Sequence, residues 1–152
     1  MTKPATLLVQ TAIAVVAVAL LASCGSPVTQ DDLAKRPEAH MFYPGSRVLE
    51  TRGQNEQLTE GGTRIAEVTT DLSVDAQADQ IYSWYLRELT AKGWTLRKTE
   101  RANGSFDLFT RGDRDLFEVG LGASPGTYTT SFSIVPASCA TTPPTKLAFG
   151  NC

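Results

Sequence analysis

Apolar and polar residues alternate one by one through two stretches in the last third of the chain. Phe117, Val119 and Leu121 are separated by Glu118 and Gly120; Tyr128, Thr130, Phe132 and Ile134 are interleaved with Thr129, Ser131 and Ser133. A strand turns successive side chains to opposite faces. A period of two therefore predicts strands over 115–121 and 127–135 with one face buried and one wet. Two further strands, 94–99 and 105–110, precede them. Asn103-Gly104 joins these two, and both central positions of a type I′ hairpin turn need positive φ. Gly112-Asp113 and Ser124-Pro125-Gly126 mark the next turns. Upstream, Arg47–Thr51 and Arg64–Leu72 read as a hairpin. Its polar loop, Gln54–Glu60 followed by Gly61-Gly62, is long for a hairpin and is the part expected to move most.

Between the two groups of strands the period changes to that of a helix. Ala78, Ile81, Tyr82, Tyr85 and Leu89 fall on one stripe, flanked by Trp84 and Leu86, with Gln80, Ser83, Arg87, Glu88 and Lys92 on opposite or boundary positions. This predicts a helix from about 75 to 91. Ser73 or Asp75 can cap its start, Lys92 suits its carbonyl end, and Gly93 can take the left-handed residue after it. One helix over an antiparallel sheet of five to six strands gives a two-layer α+β domain, expected to run from Met41-Phe42-Tyr43 to residue 152.

The first 40 residues follow a different pattern. Lys3 is followed by Ala5–Ala22, in which 15 of 18 residues are Ala, Val, Ile or Leu. A basic start and an apolar run of this length form a secretory signal peptide, residues 1–23. As a membrane span the run is short, and Gln10 and Thr11 interrupt it. Leu21-Ala22-Ser23-Cys24 then resembles a bacterial lipobox. The resemblance implies cleavage before Cys24, a diacylglyceryl group on its thiol and an N-acyl group on the new amino terminus. Ser26, two places after Cys24, is not the Asp that retains such proteins at an inner membrane. Two or three lipid chains hold a protein stably at a membrane, whereas one does not. The polar, Pro-bounded run that follows lacks periodicity, and residues 24–40 read as a lipidated flexible tether.

Composition adds mainly exclusions. The 41% apolar share of the 152 residues is inflated by the leader, and 14 basic against 16 acidic residues leave a net charge of -2. That gives no field for nucleic acid. One histidine, His40, stands at the tether–domain junction, without a Gly-x-Ser-x-Gly elbow or a second metal ligand near it. Asp113 and Asp115 bracket a turn between Arg111 and Arg114, so they read as turn chemistry. Arg111-Gly112-Asp113 matches an adhesion tripeptide, Gly120-Leu121-Gly122 lacks the third glycine of a dinucleotide loop, and Asn103-Gly104-Ser105 fits a glycosylation sequon; each is short enough to be a turn and no more. No catalytic residue, metal or cofactor is assigned. Arg97, Lys98 and Arg101 read as a solvated face, with anionic headgroups or wall polymers as the alternative.

Two constellations remain. Cys139 and Cys152 are an even pair in an exported chain once Cys24 is acylated, and a disulfide between them would enclose 12 residues, stabilising by about 2–3 kcal/mol in the chain-entropy account. Tyr43, Tyr82, Tyr85, Trp84 and Trp94 make the helix neighbourhood aromatic. Most of them are expected in the core, while Tyr43 and Trp84 are candidates to line a groove for an apolar ligand or an envelope protein partner.

Tyr43-Pro44-Gly45-Ser46, Val68-Thr69-Thr70, Trp84-Tyr85, Leu89 and Gly93-Trp94 together resemble a module of small bacterial lipoproteins, chiefly actinobacterial ones, over about residues 41–100. The resemblance implies the α+β fold and an envelope location, and carries no activity with it. The expectation is a lipid-anchored, non-enzymatic binding module on the outer face of the cell membrane. A small extracytoplasmic hydrolase or transferase built from His40, Tyr43 and the Asp113–Asp115 turn, or a structural envelope component, are the alternatives.

Overall fold

The computed structural model describes residues 27–59, 62–101 and 105–136. In chain order they form helix α1 (Gln30–Ala34), a 3-10 turn (Pro37–His40), strands β1 (Arg47–Gln54), β2 (Gln57–Thr59), β3 (Gly62–Arg64) and β4 (Ala66–Ser73), helix α2 (Ala78–Ala91), and strands β5 (Thr95–Glu100), β6 (Phe106–Arg111), β7 (Asp115–Leu121) and β8 (Thr127–Ile134). Six strands make one sheet in the order β1-β4-β8-β7-β6-β5, antiparallel throughout. The α+β expectation with one main helix holds, and among the described residues the helices pack on one face of the sheet.

The alternation read from the sequence sets that face. Along β4 the burial runs strictly in twos, and Ala66, Val68 and Leu72 point with Phe117, Val119, Tyr128, Phe132 and Ile134 into one core under α2. From α2 come Ile81, Tyr82, Tyr85 and Leu89. A fully buried aliphatic or aromatic side chain of this kind contributes about 1.5–3 kcal/mol. The helix ends as its sequence dictates. Trp94 N–H donates to Leu89 O and Gly93 N–H to Thr90 O, both at 3.0 Å, with Gly93 at φ 81°. A side chain at Gly93 would be strained in that region, and the motif sets Trp94 down on the core.

Three local expectations change. Helix α2 starts at Ala78 and not near 75, because Ser73 is the last residue of β4, paired with Arg47 and Thr127. Gln77 is the cap in place of Ser73 or Asp75, and its side chain and that of Gln80 each satisfy a backbone N–H of the other's turn. The long hairpin loop is partly regular: β2 and β3 pair there in a two-stranded ladder of their own. The Asn103-Gly104 turn, the leader, Cys24, Cys139 and Cys152 lie outside the described residues.

The largest correction concerns the flexible tether of residues 24–40. From Val28 onward that run is part of the helical layer. Thr29 Oγ1 accepts the Asp32 N–H, and the Asp32 carboxylate accepts the Thr29 N–H and hydroxyl, a closed capping box that starts α1. The Thr29 bonds hold the Asp32 carboxyl below its usual pKa. Leu33 is fully buried against the core and Ala39 nearly so. At the start of α1, Gln30 N–H donates to Asn55 Oδ1 at 2.8 Å, and Gln30 lies so close over β1 that a Cβ at Gly53 would stand 2.6 Å from its side-chain oxygen. Glu38, almost wholly buried, pairs with Arg111 at 2.7 Å, and that guanidinium also bonds Asp115 and lies over the Trp94 ring, 4.8 Å from its centroid. A buried carboxylate survives only with such a partner.

Leu33→Ala is therefore expected to cost about 2–5 kcal/mol of stability, the same range as Leu89→Ala in the main helix. Urea unfolding of the purified domain measures it. A Leu33→Ala protein as stable as wild type would return residues 27–40 to the status of a tether.

Candidate functional site

Tyr43 and Trp84, the proposed groove walls, do come together. Their rings meet edge to face with centroids 5.7 Å apart, and Trp84 meets Tyr85 in the same way at 4.7 Å. Both are half-buried and pack on the core cluster. The pair is a shelf of two touching rings.

Two phenols underneath fix that shelf. Tyr128 OH accepts the Tyr43 N–H at 3.0 Å and lies 2.7 Å from Ser46 Oγ. Tyr85, with no exposed surface, donates its hydroxyl to Met41 O at 2.8 Å. A phenol has one proton to give, so the 3.5 Å approach of the two hydroxyls is secondary to these bonds. Burial, reinforced by Tyr128, drives the Tyr85 pKa upward, and the group remains a neutral donor. Strand β8, helix α2 and the run from Met41 to Ser46 are thus tied at one point.

Beside the shelf, at the end of the sheet, opens a cleft of about 820 Å³. Its walls are the β4–α2 connection from Ser73 to Ala78, the β7–β8 turn from Leu121 to Thr127, and Gly45 with Arg47 at the head of β1. Ile81 forms part of it, one helical turn from Trp84 and Tyr85, so shelf and cleft adjoin along α2. Asp75, Gln77 and Ser124 bring polar atoms to the rim. Sequence reading missed Arg47 here, because nothing in its neighbours shows that β1 begins at the cleft.

The residues considered for catalysis are not assembled into a site. His40 is exposed, with Nε2 2.7 Å from Ala34 O and its ring edge toward Phe42. Asp115 is bonded by Arg111, which the adhesion reading would need free, and Asp113 is exposed in the turn. The basic trio also has internal partners. Arg97 donates to Thr110, Lys98 lies over the Phe106 ring, and Arg101 pairs with buried Asp107 while covering Tyr82, 3.8 Å from its centroid. Among the described residues no three His, Cys, Asp or Glu form a metal-holding group, and no helix is long and apolar enough to cross a membrane.

The far face of the sheet holds a row that sequence reading did not single out. Ser131 on β8 stands directly opposite Glu118 on β7, and Glu67 on β4, paired with Ser133, is its diagonal neighbour on the same face. Ser131 donates its hydroxyl to Glu67. Burial, with the Glu67 charge adding to it and Lys98 opposing, pushes the Glu118 carboxyl up to about 7. The alternation that places Glu118 and Ser131 on one face was visible; their cross-strand register was not.

Comparison with protein-family models, with curated proteins and with solved structures gives no match.

The raised Glu118 pKa has a stability consequence with a definite sign. Between its ordinary value of 4.5 and about 7 the folded protein holds a proton that the unfolded chain releases. Stability must therefore fall as pH rises through that window, and then level off. Glu118→Gln removes the loss. The variant is expected to match wild type at pH 4.5 and to exceed it by about 1–2 kcal/mol above pH 7.5, read by thermal or urea unfolding at both pH values. A pH-independent difference would show that Glu118 titrates normally.

Proposed function

We propose that this chain is a lipid-anchored module of the bacterial cell envelope, held at the outer face of the membrane through lipid on Cys24, which binds an envelope protein or an apolar ligand without transforming it. The anchor rests on Leu21-Ala22-Ser23-Cys24 after an apolar run that begins behind a single lysine. The observation that carries the binding reading is the Tyr43–Trp84 shelf. Two large aromatic rings are kept half-exposed beside a cleft by a buried hydrogen-bond system, and Trp and Tyr are the side chains that most often anchor interfaces. The partner would lay an apolar group on Trp84 and reach polar atoms at the rim near Arg47 and Asp75. A short mature approach from Cys24 to Val28 supports a site held close to the membrane, since the fold begins only a few residues after the lipid.

Three measurements test the proposal. Mass spectrometry of the membrane-extracted protein should show an amino terminus at Cys24 carrying lipid, and Cys24→Ala should abolish both lipid and cleavage, leaving the full-length precursor with its apolar leader. A cleaved, membrane-bound Cys24→Ala product would refute the anchor. Thiol counting in the denatured, unreduced mature protein should find no free thiol if Cys139 and Cys152 are bridged; two free thiols would remove the bridge. For binding, chemical cross-linking in intact cells should give an adduct on wild-type protein that drops tenfold or more with Trp84→Ala, at unchanged protein level. An adduct of equal yield in both would show that the shelf is not the contact.

A further inference from the structure

The two edges of the large sheet differ. At one, β5 carries Arg97 and Lys98 beside its bulge, charges of the kind that blunt an edge against pairing. At the other, β1 runs for eight residues with neither lysine nor proline. It pairs with β4 on one side, and among the described residues no strand pairs with its outer side. Its residues from Arg47 to Gly53 are all exposed, Val48 at 47% and Leu49 at 51%. The unpaired N–H and C=O groups of such an edge are a template for another strand. Beside it, on the helix side, opens an apolar pocket of about 110 Å3 lined by Ala39, Phe42, Val48 and Thr51, among others. On the other face Glu50 and Arg52 stand opposite Asp71 and Thr69 of β4.

We infer that β1 is a self-pairing edge, which joins two copies of this chain antiparallel about a two-fold axis at Thr51 and makes one continuous sheet of the two. Symmetry and charge select that axis. Residues directly opposite each other in an antiparallel pair share a face. A two-fold that exchanges the two edge strands stands perpendicular to the sheet and keeps each face on its own side, so it must pass where a residue meets its own copy. An axis at Glu50 sets two carboxylates against each other, and one at Arg52 sets two guanidinium groups together; like charges directly opposite are destabilising. An axis at Leu49 falls in the irregularity between Val48 and Glu50, and one at Gly53 leaves three residues to pair. At Thr51 a small neutral residue meets itself, and Glu50 of each copy stands opposite Arg52 of the other. Arg52 has the donors for it. Its bonds to Glu50 and Asp71 of its own chain both fall on Nη1, at 2.9 and 2.8 Å, which leaves Nη2 and Nε for a further carboxylate. The join is then ionic on one face, and on the other the two Thr51 side chains meet beside the apolar pockets. The ladder spans residues 48–54, so Arg47 at the cleft rim and the Tyr43–Trp84 shelf lie outside it. The inference goes beyond the proposed function and does not rest on it.

Disulfide trapping of the full chain, expressed in cells and mildly oxidised, tests it. At the axis, opposite Cβ atoms lie about 4.5–5.5 Å apart, a small adjustment from the spacing of a disulfide. Thr51→Cys should therefore give at least tenfold more covalent dimer than Leu58→Cys, whose site is 82% exposed but off the strand, with the wild-type chain setting the background of its own cysteines. Adding Glu50→Arg to Thr51→Cys should cut the dimer at least tenfold, and adding Arg52→Glu as well should restore it, because the two charges are then exchanged. Glu50, Thr51 and Arg52 are all exposed, so these substitutions leave the core untouched. Sedimentation equilibrium of the purified wild-type protein should show a dimer that Glu50→Arg turns into a monomer. A wild-type chain that stays monomeric at every concentration would overturn the inference. So would equal trapping at Leu58 and Thr51, which marks random collision, or trapping at Thr51 that ignores Glu50→Arg, which marks a different register.

Discussion

The pair of buried phenols, Tyr85 on α2 and Tyr128 on β8, is the point on which the remaining structure depends. Each ring fills the core between helix and sheet, and each hydroxyl answers a polar group of the segment from Met41 to Ser46. A buried carbonyl or N–H left without a partner costs about 1–3 kcal/mol. The backbone at Met41 and Tyr43 therefore cannot leave these hydroxyls cheaply. Fixing that segment fixes what lies on both sides of it: upstream the 3-10 turn with Glu38 and the α1 helix with Leu33, downstream the start of β1 and the rim of the cleft. The half-exposed shelf of Tyr43 and Trp84 is the outward side of the same arrangement.

Residues with period-2 or period-3.6 patterns were legible in advance, and their boundaries were close. Strand β7 falls on 115–121 as read, β8 begins at Thr127, and α2 ends where Gly93 requires. The role of Trp94 was partly legible too, since a residue following a left-handed glycine folds back on the last helical turn. These signals work because burial of one face is demanded locally, residue by residue.

The N-terminal part of the helical layer was not legible for a physical reason. Helix α1 has five residues and a single large apolar side chain, Leu33, so it has no period to detect. The Thr29-x-x-Asp32 capping box was present as a signal. What holds the segment, however, is long-range: Glu38 to Arg111, Gln30 to Asn55 and Gly53, and Met41 to Tyr85. The same limit hid the Glu67–Ser131–Glu118 row and the place of Arg47 in the cleft, which follow from strand order. Conversely, Arg97, Lys98 and Arg101 looked like a free basic face, and strand pairing gives each an internal partner. Candidate chemistry on His40 and the Asp113–Asp115 turn was thin in sequence, and in the structure His40 lies at Ala34 O while Asp115 is paired with Arg111.

The central claim is that the run from Val28 to Ser46 folds as one unit with the sheet, through the two phenols. Native-state hydrogen exchange at the Tyr43 amide reads this most directly, because that N–H donates to the Tyr128 hydroxyl, a side chain 85 positions away. The account predicts that Tyr43 exchanges as slowly as amides in the centre of β8, and that Tyr128→Phe speeds it at least a hundredfold while the β8 amides stay protected. Exchange of the wild-type Tyr43 amide at the rate of an unstructured chain would contradict it.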